Sequence, residues 1–346
     1  MPDGSTPLRS ASGAGPRPRT GRGPGMHDVA RAAGVSQKTV SRVVNGEPHV
    51  SDDVRARVQQ AIDALGYRPN TAARALIRGR YGRLGVVSVG VELYGPAAQL
   101  VALQRAARSR GYAVASEGVP DSLPDGQAEA IDSLLAQGVD GIVVLNPVGD
   151  GAPIHEMGDV PVVSLALARE DGVAPARAVT EHLLALGHHT VWHLPGPQDW
   201  WSARDRLLGW REALAGAGVP EPPLPKAGDW TAASGYAAGL ELARVRGLTA
   251  VFAANDDMAI GAMRAFAEAG LGVPGQVSVM GYDDIPLSAY VTPQLSTVRQ
   301  DFAAVAERAV DLLLTRVEHH PDPPALARIP VELVLRESTA RPRARH

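Results

Sequence analysis

The apolar positions of residues 27–46, HDVARAAGVSQKTVSRVVNG, form two short stripes with a glycine between them. Val29, Ala30 and Ala33 share one helical face, and Val40, Val43 and Val44 share another. Gly34 stands where the chain must turn. Val35 follows as an apolar plug and Ser36 as an N-cap for the second helix. This pattern predicts two helices joined by a tight turn, the geometry that presents the start of its second helix to a DNA major groove. The outward positions of that helix are Gln37, Lys38, Ser41, Arg42 and Asn45, all donors or mixed donor–acceptors that suit base edges and phosphates. The alternative is a three-helix module with an ordinary solvated face. A third helix is expected after Pro48: Ser51 caps it, Asp52 and Asp53 favour its first turn, Val54, Val58, Ile62 and Leu65 form its buried stripe, and Gly66 closes it.

Asn70 then caps a short segment, TAARALIRGR, whose large apolar projections are Leu76 and Ile77 among arginines. Such a helix is too short to hold itself together. It reads as a linker that orders when two copies meet on DNA, with Leu76 pushed between base steps of the minor groove. From Gly82 the pattern becomes alternating β and α. RLGVVSV, YAVASEGV, GVDGIVVLNP and VPVVSLAL read as strands with helices PAAQLVALQRAARSRG and 128–137 between them. A second series runs through HTVWHLPGP, ARDRLLGWREALAGAG, LTAVFAANDDMAIGAMRAFAEAG and QVSVMGYDD. Strand–helix alternation of this length predicts parallel doubly wound sheets, and two series predict two lobes with a ligand cleft at the strand ends between them. The fold class is therefore an all-α helix-turn-helix head followed by an α/β two-lobed domain like that of periplasmic binding proteins.

Charge sharpens this division. Residues 1–80 carry 13 Lys and Arg against 6 Asp and Glu, whereas residues 81–346 carry 21 against 31. A basic head on an acidic body points to a polyanion at the head alone. The chain has no cysteine, which excludes disulfides and thiolate metal sites. No apolar run is long enough for a bilayer, and residues 1–25 lack a signal peptide's apolar middle, so a cytoplasmic, nucleoid-associated protein is expected. No metal and no cofactor is expected.

The residues at the predicted strand ends carry the candidate chemistry. Asn255-Asp256-Asp257 follows AVFAA, Tyr282-Asp283-Asp284 follows VSVMG, Gln300-Asp301-Phe302 follows TVR, and Arg206 lies early in its helix. Carboxylates, amides and a guanidinium converging on one cleft suit a polyhydroxylated ligand, since each binds hydroxyls in pairs. Trp230 is a candidate plate for the apolar face of a sugar ring, whereas Trp200 and Trp201, each taken singly, are assigned to packing. Asp283 has capping as an alternative role. The paired aspartates also admit a metal or acid–base reading, which their amide and guanidinium neighbours disfavour, and no GxSxG, Walker A or HExxH sequence supports an enzyme. His188-His189 is read as a helix-end cap. A transporter's solute-binding protein shares the two-lobed scaffold but has no DNA-binding head.

The motifs DVARAAGVSQKTVSRVVNG, HVS, ALGYRPN and the Ala73–Leu76 AxxL resemble the DNA-binding head of the lactose-repressor (LacI/GalR) family. GP…SARDRLLGW, GDWTAASGY, ANDDMAIGAM, VSVMGYDD, LSTVRQDF and IPVELVLREST continue the resemblance in order to about residue 340. It implies a repressor that binds a palindromic operator as a homodimer and is released by a small-molecule effector. It implies base reading by Gln37, Lys38 and Arg42, backbone proximity for Ser36, Thr39, Ser41, Asn45, His49 and Asn70, and a hinge at Ala73 and Leu76. The implied effector contacts are Ser202, Arg206, Trp230, Asn255, Asp283 and Gln300, with Val89, Leu93 and Pro96 from the first lobe. The tryptophan after Gly-Asp and the Ser202-Ala203-Arg204 spacing lean toward a galactoside-like sugar; a corepressor such as a nucleobase is the alternative. The expected divisions are a disordered basic tail (1–25), a head (26–68), a hinge (69–81), an effector domain (82–340, first lobe 82–168 and 299–322, second lobe 169–298 and 323–340) and a disordered end (341–346). Two departures stand out. About a dozen residues fewer than the family pattern separate VPVVSLAL from EHLLALGH, so that a strand pair is expected to merge into ALAREDGVAPARAVT. The closing RPRARH has no leucine heptad, so a dimer rather than a tetramer is expected.

Overall fold

The computed structural model describes residues 24–68, 79–119, 126–145, 148, 156–157, 159–165, 169–319, 329–330 and 332–343. The sequence assignments for the tail, for Asn70, Ala73 and Leu76, and for the last three residues fall outside these. The chain divides into two compact units, Met1–Gly79 and Arg80–His346.

In the first unit α1 (Met26–Ala33), α2 (Gln37–Val44) and α3 (Asp52–Leu65) enclose a small core of Val29, Ala30, Ala33, Val40, Val43, Val58, Ala61 and Tyr67. Gly34 takes φ 65°, and Ser36 caps α2 by accepting from the Thr39 amide at 3.1 Å. Two expectations for α3 need correction. Ser51 occupies the N-cap position but makes no side-chain cap bond, and Leu65 is exposed. Gly66 ends the helix at that point in the left-handed region, and Tyr67 fills the core instead.

The second unit opens with a five-stranded sheet in the order β2-β1-β3-β5-β4, from β1 (Arg83–Val89), β2 (Ala113–Val119), β3 (Gly141–Leu145), β4 (Glu156–Met157) and β5 (Val160–Ser164). All pairings are parallel except β4 with β5. Pleat alternation divides its side chains. Leu84, Val86, Val143 and Leu145 pack under α4 (Tyr94–Ser109), while Val87, Ile142 and Val144 pack against Ile131 and Leu134 of α5 (Gly126–Ala136). Valine and leucine on both faces fit a strand buried on both sides.

The shortened stretch differs from expectation. Instead of a merged strand pair, α6 (Arg169–Ala185) is the next described element after β5, with Pro175 inside it. It packs closely on α7 (Trp201–Gly216), where a Cβ on Gly209 would lie within 3 Å of the α6 backbone. A three-stranded parallel sheet follows, β6-β7-β8, from β6 (Trp192–Leu194), β7 (Ala250–Ala253) and β8 (Ser278–Met280). Phe252 and Met280 face α6 and α7; Val251 and Val279 face α8 (Ala232–Leu242) and α9 (Asp256–Glu268). The chain then forms β9 (Thr297–Arg299), returns to the first sheet as α10 (Phe302–Val317), and pairs β10 (Glu332–Val334) antiparallel with β9. His188 is not a helix-end cap: its Nε2 lies 3.0 Å from the Ala340 carbonyl and 3.2 Å from Ser278 Oγ, which ties the last described segment to β8.

Candidate functional site

On the head, α2 carries its polar residues outward because Val40 and Val43 face the core. Ser36, Gln37, Lys38 and Arg42 are exposed; Thr39, Ser41 and Asn45 are half-buried. Thr39 Oγ1 lies 2.9 Å from Ser36 Oγ, and Asn45 Nδ2 donates to Ser41 Oγ at 3.2 Å, so these four stiffen the helix that holds the exposed donors. Arg42 meets Glu47 at 3.7 Å with both side chains about half exposed, a weak pair that a phosphate can displace. His49 is exposed with φ 74°.

In the second unit the strand ends β1, β7 and β8 and the starts of α4 and α7 enclose a cleft of about 500 Å³, open mouth included. Leu93, Tyr94, Gly95, Pro96 and Gln99 line it from the first sheet; Trp200, Ser202, Arg206, Trp230, Asn255, Asp257, Asp283 and Gln300 line it from the other side. All six expected effector contacts thus meet in one place. Of the three first-lobe expectations, Leu93 and Pro96 line the cleft, while Val89 is fully buried in the sheet core.

Arg206 organises the far wall. Its Nη1 donates to the Ala254 carbonyl, and its Nη2 donates to Asp283 Oδ1 at 3.2 Å. Its guanidinium carbon stands 3.9 Å over the Tyr282 ring and 5.2 Å from the Trp230 ring centroid. Gln300 Nε2 donates to the same Asp283 Oδ1 at 2.6 Å. Asp283 is 8% exposed, and burial pushes its carboxyl up to about 7 against the opposing pull of Arg206. It does not cap a helix. Asn255 does: its Oδ1 accepts from the Met258 amide and its Nδ2 donates to the Trp230 carbonyl, each at 2.9 Å. Trp230 (φ 70°) and Asp283 (φ 116°) both hold positive φ, a conformation bulky residues keep only where their surroundings enforce it.

Two of the other three aspartates of the paired motifs are structural. Asp256 is fully buried and accepts from Thr297 Oγ1, Ser288 Oγ and the Ile285 amide. Asp284 is clasped by Arg299 at 2.8 Å and Arg336 at 2.6 Å. Asp257 alone faces the cleft beside Asp283. Among the described residues no cluster of three or more His, Asp or Glu can hold a metal ion, and no helix is long and apolar enough to cross a membrane.

Trp200 packs in the core, as expected, and it also borders the cleft. It is 2% exposed and lines the cleft, its ring meeting Trp230 edge-on at 5.8 Å and 74°. Each indole rests on a glycine: a Cβ on Gly90 would lie 2.6 Å from Trp200 Cη2, and one on Gly196 would lie 2.6 Å from Trp230 Cη2. The sequence reading missed Tyr94 and Gln99, and it named Asp257 at its strand end without including it among the effector contacts. Tyr94 and Gln99 had a signal available, since they open the helix after the first strand, where an open sheet places its ligand.

A parallel α/β unit with a polar cleft at its strand ends, preceded by a helix-turn-helix head, defines an effector-binding DNA-binding regulator. The profile of bacterial regulatory proteins of the lacI family matches residues 25–70, and that of the periplasmic binding protein-like domain matches residues 180–339. The lactose operon repressor of Escherichia coli (strain K12) is 36% identical over 333 residues, which cover 92% of this chain and 91% of that one. The HTH-type transcriptional regulator CelR of Thermobifida fusca is 33% identical over 341 residues, 92% of this chain and 98% of that one. Among solved structures, the lac repressor dimer bound to operator and the anti-inducer ONPF superposes with a TM-score of 0.84 at 34% identity, covering 92% of this chain and all of the other. A CelR–cellobiose complex superposes with a TM-score of 0.66 at 31% identity, covering 91% and 99%. The chain belongs to the LacI family. It is a sequence-specific DNA-binding transcriptional regulator, and its relatives are regulators rather than enzymes.

Proposed function

We propose that this regulator is a repressor that binds an inverted-repeat operator as a homodimer and is released by a small sugar seated in the cleft. The carrying observation is the bonded set of Arg206, Asp283 and Gln300 beside two perpendicular indoles. A carboxylate, a guanidinium and an amide address vicinal hydroxyls, while the indoles cover a ring's apolar face. Ser202 and Asn255 complete the contacts. Each head reads half the operator through Gln37, Lys38 and Arg42, with Ser36, Thr39, Ser41, Asn45 and His49 along the backbone. The segment with Asn70, Ala73 and Leu76 serves as the hinge that orders on DNA. The working divisions are head 26–68, hinge 69–81 and effector domain 82–340, with a first lobe of 82–168 and 299–322 and a second of 169–298 and 323–340. The effector acts by changing the angle between first lobes across the dimer, which biases the pairing of hinges.

The CelR complex with cellobiose and the lac repressor dimer on its operator support both halves by kinship. Thermal-shift measurements against mono- and disaccharides test the effector, because a ligand at about 100 times its Kd adds roughly 2.7 kcal/mol. The expected outcome is a rise in melting temperature with one sugar, and release of a fluorescent palindromic duplex by that same sugar. A protein that no sugar stabilises, or that remains on the duplex when one does, refutes the inducer reading.

A further inference from the structure

The inward stripe of α4 breaks at one position. Pro96, Leu103, Ala106 and Ala107 are buried at helical spacing, and the same face passes through residue 99, where the chain carries glutamine. Gln99 lines the cleft and is half-buried, and its Oε1 is sealed from solvent without a hydrogen-bond partner. A buried carbonyl left unpaired is worse for the empty protein than an aliphatic side chain of the same shape. A residue lining the same cleft from the other side carries a second such atom: Trp230, 5% exposed, has its Nε1 buried and unpartnered. Arg206, Asp283, Gln300 and Asn255 already bond to protein groups. Two residues that line the cleft from opposite sides thus carry an acceptor and a donor with no protein partner.

We propose that Gln99 is a specificity-determining residue: its side-chain amide takes a hydroxyl of a polyhydroxylated ring where that ring meets α4, while another ligand oxygen accepts from Trp230 Nε1. This rests on the sugar reading above and adds to it a required position on the ligand. A hydroxyl both donates and accepts, so it satisfies the amide in either orientation. A deoxy ring leaves the amide unpaired and is rejected, the asymmetry by which hydrogen-bonding sites discriminate strongly.

The test is calorimetric titration of the full-length protein with D-galactose, D-glucose, lactose and cellobiose, alongside Gln99→Leu and the unbranched Gln99→Met, with melting of each protein free of ligand. Whichever sugar binds the wild type is expected to bind both variants about tenfold more weakly or worse. Ligand-free melting is expected at or above the wild-type temperature, because an unpaired polar atom has been removed. Unchanged affinity in the variants, with wild-type binding intact, overturns this assignment alone. A ligand-free melting temperature lowered in both variants overturns it as well, since the amide then holds the fold. A wild type that binds none of the four sugars removes the sugar reading, and this assignment with it.

Discussion

On one wall of the cleft a guanidinium, a carboxylate and two amides are bonded to protein groups before any ligand arrives; on the other the Gln99 carbonyl is not. Arg206, Asp283 and Gln300 form a closed set, and Asn255 bridges a helix cap to the Trp230 carbonyl. The first-sheet wall presents Leu93, Tyr94 and Pro96 as surface and the Gln99 carbonyl as an unanswered acceptor. A wall already held in its binding geometry loses little freedom when a ligand docks. A wall with an open acceptor gains only from a ligand that fills it. On the proposed reading, the first arrangement governs whether a sugar binds, and the second governs which one.

Arg206→Ala breaks this contrast most severely. It leaves Asp283 buried with its cation gone and strips the guanidinium from the Tyr282 and Trp230 faces. The expected loss of effector affinity is on the order of 100-fold or more, with a stability loss on the order of 3 kcal/mol, as for one partner removed from a buried pair. Operator titration with and without sugar, run beside thermal melting, separates loss of the ligand site from loss of the fold. A variant that still releases DNA at wild-type sugar concentrations contradicts the ordered wall as the source of affinity.

A smaller effect comes from wedging the walls apart. Gly90 holds φ 65°, and its missing side chain leaves the space that Trp200 fills. Trp200 belongs to the far wall and Gly90 follows β1, so this contact joins the two. Gly90→Ala places a methyl 2.6 Å from a ring with no room to move, and overpacking of this kind costs about 1–3 kcal/mol. A tenfold loss of sugar affinity is the approximate expectation. Adding Trp200→Ala removes the clash, so the two substitutions are expected to be non-additive in a double-mutant cycle. Additive effects mean that the indole does not couple the walls.

The ordered wall was far more legible in the sequence than the open one, for a physical reason. Arg206, Asn255, Asp283 and Gln300 sit at strand ends or early in helices, positions that periodicity locates, and their chemistry is conspicuous in an apolar setting. Gln99 lies within a helix among alanines and reads as an ordinary surface residue until the burial of its neighbours is known. Trp200 was correctly assigned to packing, but the glycine it packs on is 110 residues away in sequence, so periodicity did not place it beside the cleft. The same limit misassigned His188, whose partner is the Ala340 carbonyl. Asp256 and Asp283 show it again. Each directly or closely follows a strand, yet only tertiary contacts reveal that Thr297 and Ser288 claim the first and leave the second at the cleft. The helical stripes of α1 and α2 were local and read correctly, while Leu65, the last residue of α3, is exposed because the chain turns at Gly66 and Tyr67 takes the place in the core. The shortened stretch became α6 rather than a strand pair, and family spacing alone did not reveal that its residues pack on α7.

Proton competition gives the smallest expected effect and the finest comparison of the walls. Burial holds the Asp283 carboxyl at about 7, above the roughly 3.9 of an unfolded chain. Its contribution to stability is therefore fully present below about pH 3.9 and is lost as pH rises through about 7, because the folded state binds the extra proton. Effector binding runs the opposite way if the sugar hydroxyls bond to the ionised carboxylate. Affinity is then expected to fall about threefold from about pH 7.5 to about pH 6.5, in step with the ionised fraction of a group of pKa about 7. Gln99 does not titrate, so a ligand held chiefly by the first-sheet wall has no such dependence. Titration of the sugar across this window in wild type and Asp283→Asn distinguishes the two. A slope that survives in Asp283→Asn assigns the titration to another group and removes Asp283 from the set of groups that the sugar's hydroxyls read.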